Sequence, residues 1–349
     1  MKSKKGLNKR GFAVQFNWLF VLIGGAVILG FFISVIVNYI YDQEIQQKTL
    51  SIDELDQMLK VDLSAADTEK TRFFQHKILF SCDEISEYVV EGALKGRRYD
   101  YTAIFSPTEL EPGNLVIMTT SFEAPYRVMP LVYVTSKDIE YVFAGTSTII
   151  NLVYNSMPTN TTKKFISTSI SNYLNNNYDH TVFVVGDNAD LTPLNDFNGF
   201  EDRVYGVVIT PGMGSSFEYG SLSFYHYEPA GFVYDGTLPF LKPELALGGV
   251  ISHDNESYKC NLKKVLKRIE LLSELYKNRA EYYAKKVPSY CRSHYTGPVT
   301  SAEIYLTSIQ TYAQEEVSLD NFKNLMLAVN ELKSLNEHVL RGTECPIIY

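Results

Sequence analysis

Between Arg10 and Asp42 the chain runs for 31 residues without a charged side chain, GFAVQFNWLFVLIGGAVILGFFISVIVNYIY. A hydrocarbon layer is crossed by a helix of about 20 apolar residues. Trp18 to Val37 supplies that length, so residues 11–41 are predicted to form one transmembrane helix with its core at 18–37, in contact with the lipid bilayer. Every charge before it is positive (Lys2, Lys4, Lys5, Lys9, Arg10), and the far side opens with Asp42 and Glu44. Basic flanks stay cytoplasmic. Residues 1–10 are therefore expected inside as a basic tail, and the bulk of the chain outside, in a single-pass plasma-membrane topology. Trp18 stands at the inner boundary and Tyr39 and Tyr41 at the outer one, the depths amphipathic rings favour.

Two other leaders compete with an uncleaved anchor. A secretory signal has an apolar region of about 7–15 residues followed by small residues, and Val37-Asn38-Tyr39-Ile40 is not such a site. A prepilin-type leader, cut after Gly11, fits the short basic head. It normally carries a glutamate where this chain has Phe16. Inside the span Ala26, Gly30 and Ser34 recur every fourth residue and share a helical face. Such faces let helices approach closely in lipid, so association with other spans or envelope proteins is an expected use.

The 349 residues carry a net charge of −8, and the basic tail masks part of the acidity of the chain beyond Arg10. An acidic exterior argues against nucleic acid as a partner. Cys82, Cys260, Cys291 and Cys345 all lie after the span, in a compartment that permits disulfides. Four cysteines allow three pairings. Cys260 and Cys291 bracket a helical segment, Asn261 to Val287, about 40 Å long. The four residues from Pro288 to Cys291 recover only about 14 Å of it, so a Cys260–Cys291 bridge is disfavoured. With no CxxC pair, a zinc site is not expected. Asn160-Thr-Thr and Asn255-Glu-Ser are candidate glycosylation sequons.

Beyond the span, Ser51 and Glu54 read as a capping box opening a short helix with Ile52, Leu55, Leu59 and Leu63 on one edge. Residues 42–70 are thus expected to be a helical stalk. Residues 71–258 read as an α/β domain. Strand-like runs occur at 77–81, 99–105, 115–119, 131–135, 181–185, 204–210 and 221–227, and a helix is predicted from Thr162 to Leu174. Residues 259–349 read as helical. A stripe from Leu262 to Tyr283 ends at Pro288, a second helix opens with the capping box Thr300-Ser-Ala-Glu303, and a third runs from Ser318 to a C-cap at Arg341-Gly342. The fold class is α/β, a mixed sheet with covering helices, plus a C-terminal helical hairpin or bundle, preceded by one transmembrane helix.

Little in the sequence assigns chemistry. The six histidines form no HxH or HExxH box, and no cofactor is implied. Asp187 and Asp190 come after an apolar strand and could hold a divalent cation with Asp196, although GDNAD also reads as an Asx-rich turn. Gly212-Met-Gly214-Ser215-Ser216 lacks the lysine and the succeeding helix of a phosphate loop, and Ser215 lacks a GxSxG elbow. The least ordinary feature is electrostatic. From Lys259 to Lys286 nine basic residues face three acids. Lys259, Lys263, Lys264, Lys267 and Arg268 are therefore a candidate docking strip for an anionic partner, unless Glu315, Glu316, Asp320 or Glu331 pair with them.

The segment from Gln15 to Phe32, QFNWLFVLIGGAVILGFF, and the closing Cys345-Pro-Ile-Ile-Tyr349 resemble single-span membrane proteins of small-genome archaea. The resemblance implies a monoderm archaeal surface outside the span. That family brings no known activity, so no functional residue carries over. The resulting expectation is an anchored extracytoplasmic binding or assembly component of the cell envelope, more a binder than an enzyme. A pilin-like subunit and an anchored hydrolase acting through Asp187, Asp190 or Ser215 stand as alternatives.

Overall fold

The computed structural model describes residues 9–64, 67–82, 86–93, 95–166, 170, 173, 178, 180–186, 191, 203–212 and 217–349. Its first element is a helix of 56 residues, α1 (Lys9–Ser64), about 84 Å long. By length and composition α1 contains a segment able to cross a membrane. Every side chain from Trp18 to Gln43 is exposed, Ala26, Gly30 and Ser34 among them. The second half packs on the head, where Ile52, Leu55 and Leu59 are buried. The capping box expected at Ser51 does not form. The helix passes straight through, and the Ser51 hydroxyl donates to the Gln47 carbonyl one turn back. Continuous backbone hydrogen bonding leaves no free N–H for a cap there to satisfy.

The chain continues through β1 (Thr68–Phe74), β2 (Ile78–Cys82), β3 (Ser86–Val90), β4 (Arg97–Arg98), β5 (Ala103–Phe105), β6 (Glu109–Leu110), β7 (Gly113–Glu123), β8 (Arg127–Ser136) and β9 (Ile139–Ala144). Then come α2 (Thr148–Ser156), β10 (Thr162–Ile166), β11 (His180–Gly186), β12 (Val204–Pro211), β13 (Tyr219–Glu228) and β14 (Gly231–Leu241). The C-terminal helices are α3 (Lys242–Ser252), α4 (Asn255–Lys286), α5 (Ser289–Tyr295), α6 (Ala302–Gln314) and α7 (Leu319–Gly342).

Among the described residues the strands form three sheets, ordered β1-β7-β8-β5, β4-β3-β2-β6 and β10-β9-β11-β12-β13-β14. The largest is mixed. β10, β9, β11 and β12 run parallel, while β13 and β14 add antiparallel. Its central strand β11 is buried at every position from Thr181 to Gly186, as its unbroken apolar run requires of a strand covered on both faces. Val182 and Val184 join the main core, whereas Phe183 and Val185 join a second cluster with Ile170 and Tyr173.

The helix expected from Thr162 to Leu174 is not formed at its start. Thr162–Ile166 is strand β10, paired with Glu140–Ala144. Tertiary pairing overrides a helical spacing of apolar residues that is just as compatible with this edge position. α2 and α3 lie where no helix is expected from the sequence. The second capping box also shifts. Ser301, not Thr300, precedes α6, and its hydroxyl donates to the Gly297 carbonyl. At the other end α7 includes Gly342 and is capped by Thr343 in an extended conformation.

α1 is tied to the head by polar contacts as well as by its apolar edge. Asp53 pairs with Arg97 on β4, and the Tyr88 hydroxyl on β3 donates to Asp56 at 2.8 Å. Two disulfides close the fold. Cys82–Cys260 joins β2 to α4, and Cys291–Cys345 joins α5 to the C-terminal segment, each with Cα atoms 5.7 Å apart. The disfavoured Cys260–Cys291 pairing is absent, and α4 is the continuous helix that keeps those two cysteines apart.

Candidate functional site

Helix α4 carries the basic strip and organises the surface around it. Asp254 caps its N-terminus, accepting from the Ser257 N–H at 2.6 Å. Leu262, Val265, Leu266 and Ile269 anchor one face in the core. A helix held on that side must turn positions 259, 263 and 267 outward together, because residues three and four apart share a face.

Those three lysines line a cleft of about 760 Å³ between α4 and the end of α6. Leu238, Leu266, Ala313 and Val317 contribute its apolar lining, and Gln314, Glu315 and Glu316 its opposite wall. At one end the charges cancel, since Lys267 pairs with Glu270 at 2.7 Å and Gln314 donates to the same carboxylate at 2.9 Å. These contacts hold the Glu270 carboxyl below its usual range. At the other end Lys259 stands 3.6 Å from Glu256. Between them Lys263, Glu315 and Glu316 are exposed, and no ion pair joins the two walls among the described residues.

The acid wall is held by the turn into α7. The Ser318 hydroxyl accepts from the Asn321 N–H, and the Asn321 amide donates to the Glu316 carbonyl at 2.7 Å. Replacing Ser318 by alanine removes the cap and is expected to cost about 1 kcal/mol. Chemical denaturation of the full chain in detergent measures it, and no loss of stability would mean the cap is idle.

A second cavity of about 380 Å³ shares Lys259 and Lys263 and is lined by Cys82, Cys260, Ser86, Asp100 and Lys264. A disulfide sulfur carries no proton, so the Ser86 hydroxyl is the donor towards Cys82 Sγ at 3.5 Å and Cys260 Sγ at 3.8 Å. Lys264 does not project as a docking residue. Its ammonium turns inward onto the carbonyls of Tyr99 and Thr102, at 3.3 and 3.2 Å, and lies 3.9 Å from the Tyr99 ring centroid. Burial pulls its pKa down to about 7, with Asp100 acting in the opposite sense. Lys264 thus tethers α4 to the loop before β5. Arg268 is exposed and lines neither cavity.

Asp187, Asp190, Asp196, Ser215 and Ser216 lie outside the described residues, as does the tail before Lys9. Asn160 is exposed, with its side-chain amide donating to Glu69 at 2.8 Å. Asn255 is half-buried at the start of α4. Among the described residues no three His, Cys, Asp or Glu side chains are grouped as metal ligands.

One buried group stands out that periodicity could not flag. His253 ends α3 in the left-handed conformation, φ 41°, fully enclosed beside Tyr205 and His180. Burial first, and His180 second, push its pKa down to about 3. The unfolded chain takes up this proton near pH 6.5, and the folded chain does not until about 3. Stability from this group is therefore complete above pH 6.5 and falls with pH below it, by about 1.4 kcal/mol per unit. The wild type is expected to lose about 2 kcal/mol between pH 6.5 and 5 through this group. His253→Asn, which tolerates the backbone, should flatten that slope in denaturant titrations. An unchanged slope would assign the acid sensitivity elsewhere.

Comparison with protein-family models, curated proteins and solved structures finds no match to this chain.

Proposed function

We propose that this chain is a membrane-anchored binding or assembly component of a cell envelope, with its head outside the membrane and the α4 cleft as its binding surface. The observation that carries the reading is the continuity of α1. A helix apolar over much of its first half and exposed from Trp18 to Gln43, and buried against β-sheet at Ile52, Leu55 and Leu59, joins a span to a head without a flexible linker. From Tyr41 to Ile52 the rise is only about 16 Å, so the head stands close to the surface in a fixed orientation. The basic flank before the span and the two disulfides after it support an exterior head. The cell surface of an archaeon is the compartment that the resemblance of the anchor segment favours.

Cross-linking of the full chain in native membranes, with detergent extraction afterwards, tests the reading. The expected result is a discrete stoichiometric complex that the Lys259→Glu/Lys263→Glu variant loses. A chain that stays uncomplexed, or a complex indifferent to both lysines, would overturn the assignment of the cleft.

The same long helix favours one second reading, a pilin-like subunit cut after Gly11. A filament also needs subunits whose helices are apolar and exposed at one end and packed on a head at the other. The intact mass of the purified protein separates the two. A chain retaining Met1 to Arg10 is an anchor, and a mature N-terminus at Phe12 is a processed subunit.

A further inference from the structure

We propose that the α4 cleft takes a short peptide segment carrying both a carboxylate and an ammonium group, rather than a polyanion; this rests on the binding role proposed above. The cleft has walls of opposite sign. Lys259 and Lys263 stand on α4, and Glu315 and Glu316 stand across from them, without an ion pair closing the gap among the described residues. A lipid headgroup or envelope polymer of uniform negative charge would meet the lysines but also bring its charges against the two glutamates. Like charges placed together in an interface penalise the wrong partner. A ligand of mixed charge satisfies both walls at once.

Size and lining point to peptide. The cleft of about 760 Å³ is larger than a single amino acid fills and lies within the range of sites for drug-sized ligands. Leu238 and Val317 offer apolar surface between the charged walls, where the side chains separating an acid from a base would rest. The Lys267–Glu270 pair neutralises one end and Glu256 faces Lys259 at the other, so Lys263, Glu315 and Glu316 are the charges of the cleft without an ion pair among the described residues. The sequence marks Glu315 and Glu316 as acids that would neutralise the strip, and the structure instead holds them across an open cleft from it.

The test uses the full chain in detergent micelles and four fluorescein-labelled, end-blocked hexapeptides with one Ala/Leu core. Their terminal residues are Lys and Glu, Glu and Lys, Glu and Glu, or Lys and Lys. Fluorescence polarisation should show at least one mixed peptide binding about tenfold more tightly than either like-charged one. Lys263→Glu should shift the preference towards the Lys/Lys peptide, and the Glu315→Lys/Glu316→Lys variant towards Glu/Glu. All three positions are exposed, and unchanged denaturation midpoints would verify folding. Equal binding of the Glu/Glu peptide to the wild type, no binding of any peptide, or preferences unmoved by charge reversal would each overturn the proposal. If the cross-linked complex persists while the peptides fail, this inference falls and the binding role stands. Loss of both removes both.

Discussion

Opening the Cys82–Cys260 bridge by a Cys82→Ser/Cys260→Ser double substitution is expected to lower the unfolding free energy by about 5 kcal/mol. The bridge spans 178 residues of sequence. It therefore withholds more conformational freedom from the unfolded chain than Cys291–Cys345, which spans 54 and is worth about 4 kcal/mol by the same loop-closure entropy. The Cys82–Cys260 bridge also fixes the first turns of α4, where Lys259 and Lys263 stand, against the small sheet. Denaturant unfolding of the full chain in detergent measures the loss. Serine variants that unfold at the wild-type midpoint would show that the two cysteines are not bridged in the native protein.

Leu55→Ala should cost about 3 kcal/mol, within the range for emptying a fully buried leucine site. Leu55 is 0% exposed, although it lies on the same helix as the exposed apolar segment. Alanine keeps the helix, so the loss reports packing against the head and not helix propensity. Leu50, five residues earlier and 67% exposed, supplies the comparison. Leu50→Ala should change stability by less than about 0.5 kcal/mol. Equal effects at the two positions would mean that α1 does not dock on the head.

What the sequence disclosed divides along physical lines. Long amphipathic helices announce themselves by period, so α4 and α7 lie close to their expected places, and buried parallel strands such as β11 by continuous apolarity. α3 carries neither signal. Eight successive residues from Leu245 to Ser252 are buried on all sides, and a helix enclosed all round has no polar face to give a period. Residues 162–174 mislead for the opposite reason. Phe165, Ile166, Ile170 and Tyr173 fall at helical spacing, yet the first two belong to an edge strand and the last two to the second cluster beneath the sheet. The caps expected at Ser51 and Thr300 show how a local signal yields to neighbours in space.

The residues of both walls are legible in the sequence, but the open cleft between them is not. Lys259, Lys263 and Lys267 can be read from charge density along one helix, because their periodicity puts them together. Lys264 belongs to the same run, but its inward turn depends on the Tyr99 and Thr102 carbonyls about 160 residues away. Glu315 and Glu316 are the expected partners of the strip, and they face it across an open cleft instead of pairing with it. His253 leaves no trace, since nothing in a single histidine distinguishes an enclosed ring from a solvated one.

The central claim is that α1 anchors the chain in a membrane and holds the head outside. Protease accessibility on intact cells tests it most directly, using the full chain with an epitope at each terminus. Added proteinase should remove the C-terminal epitope while the N-terminal one stays protected until the bilayer is permeabilised. A C-terminal epitope protected in intact cells, or an N-terminal one cleaved in them, would contradict the account.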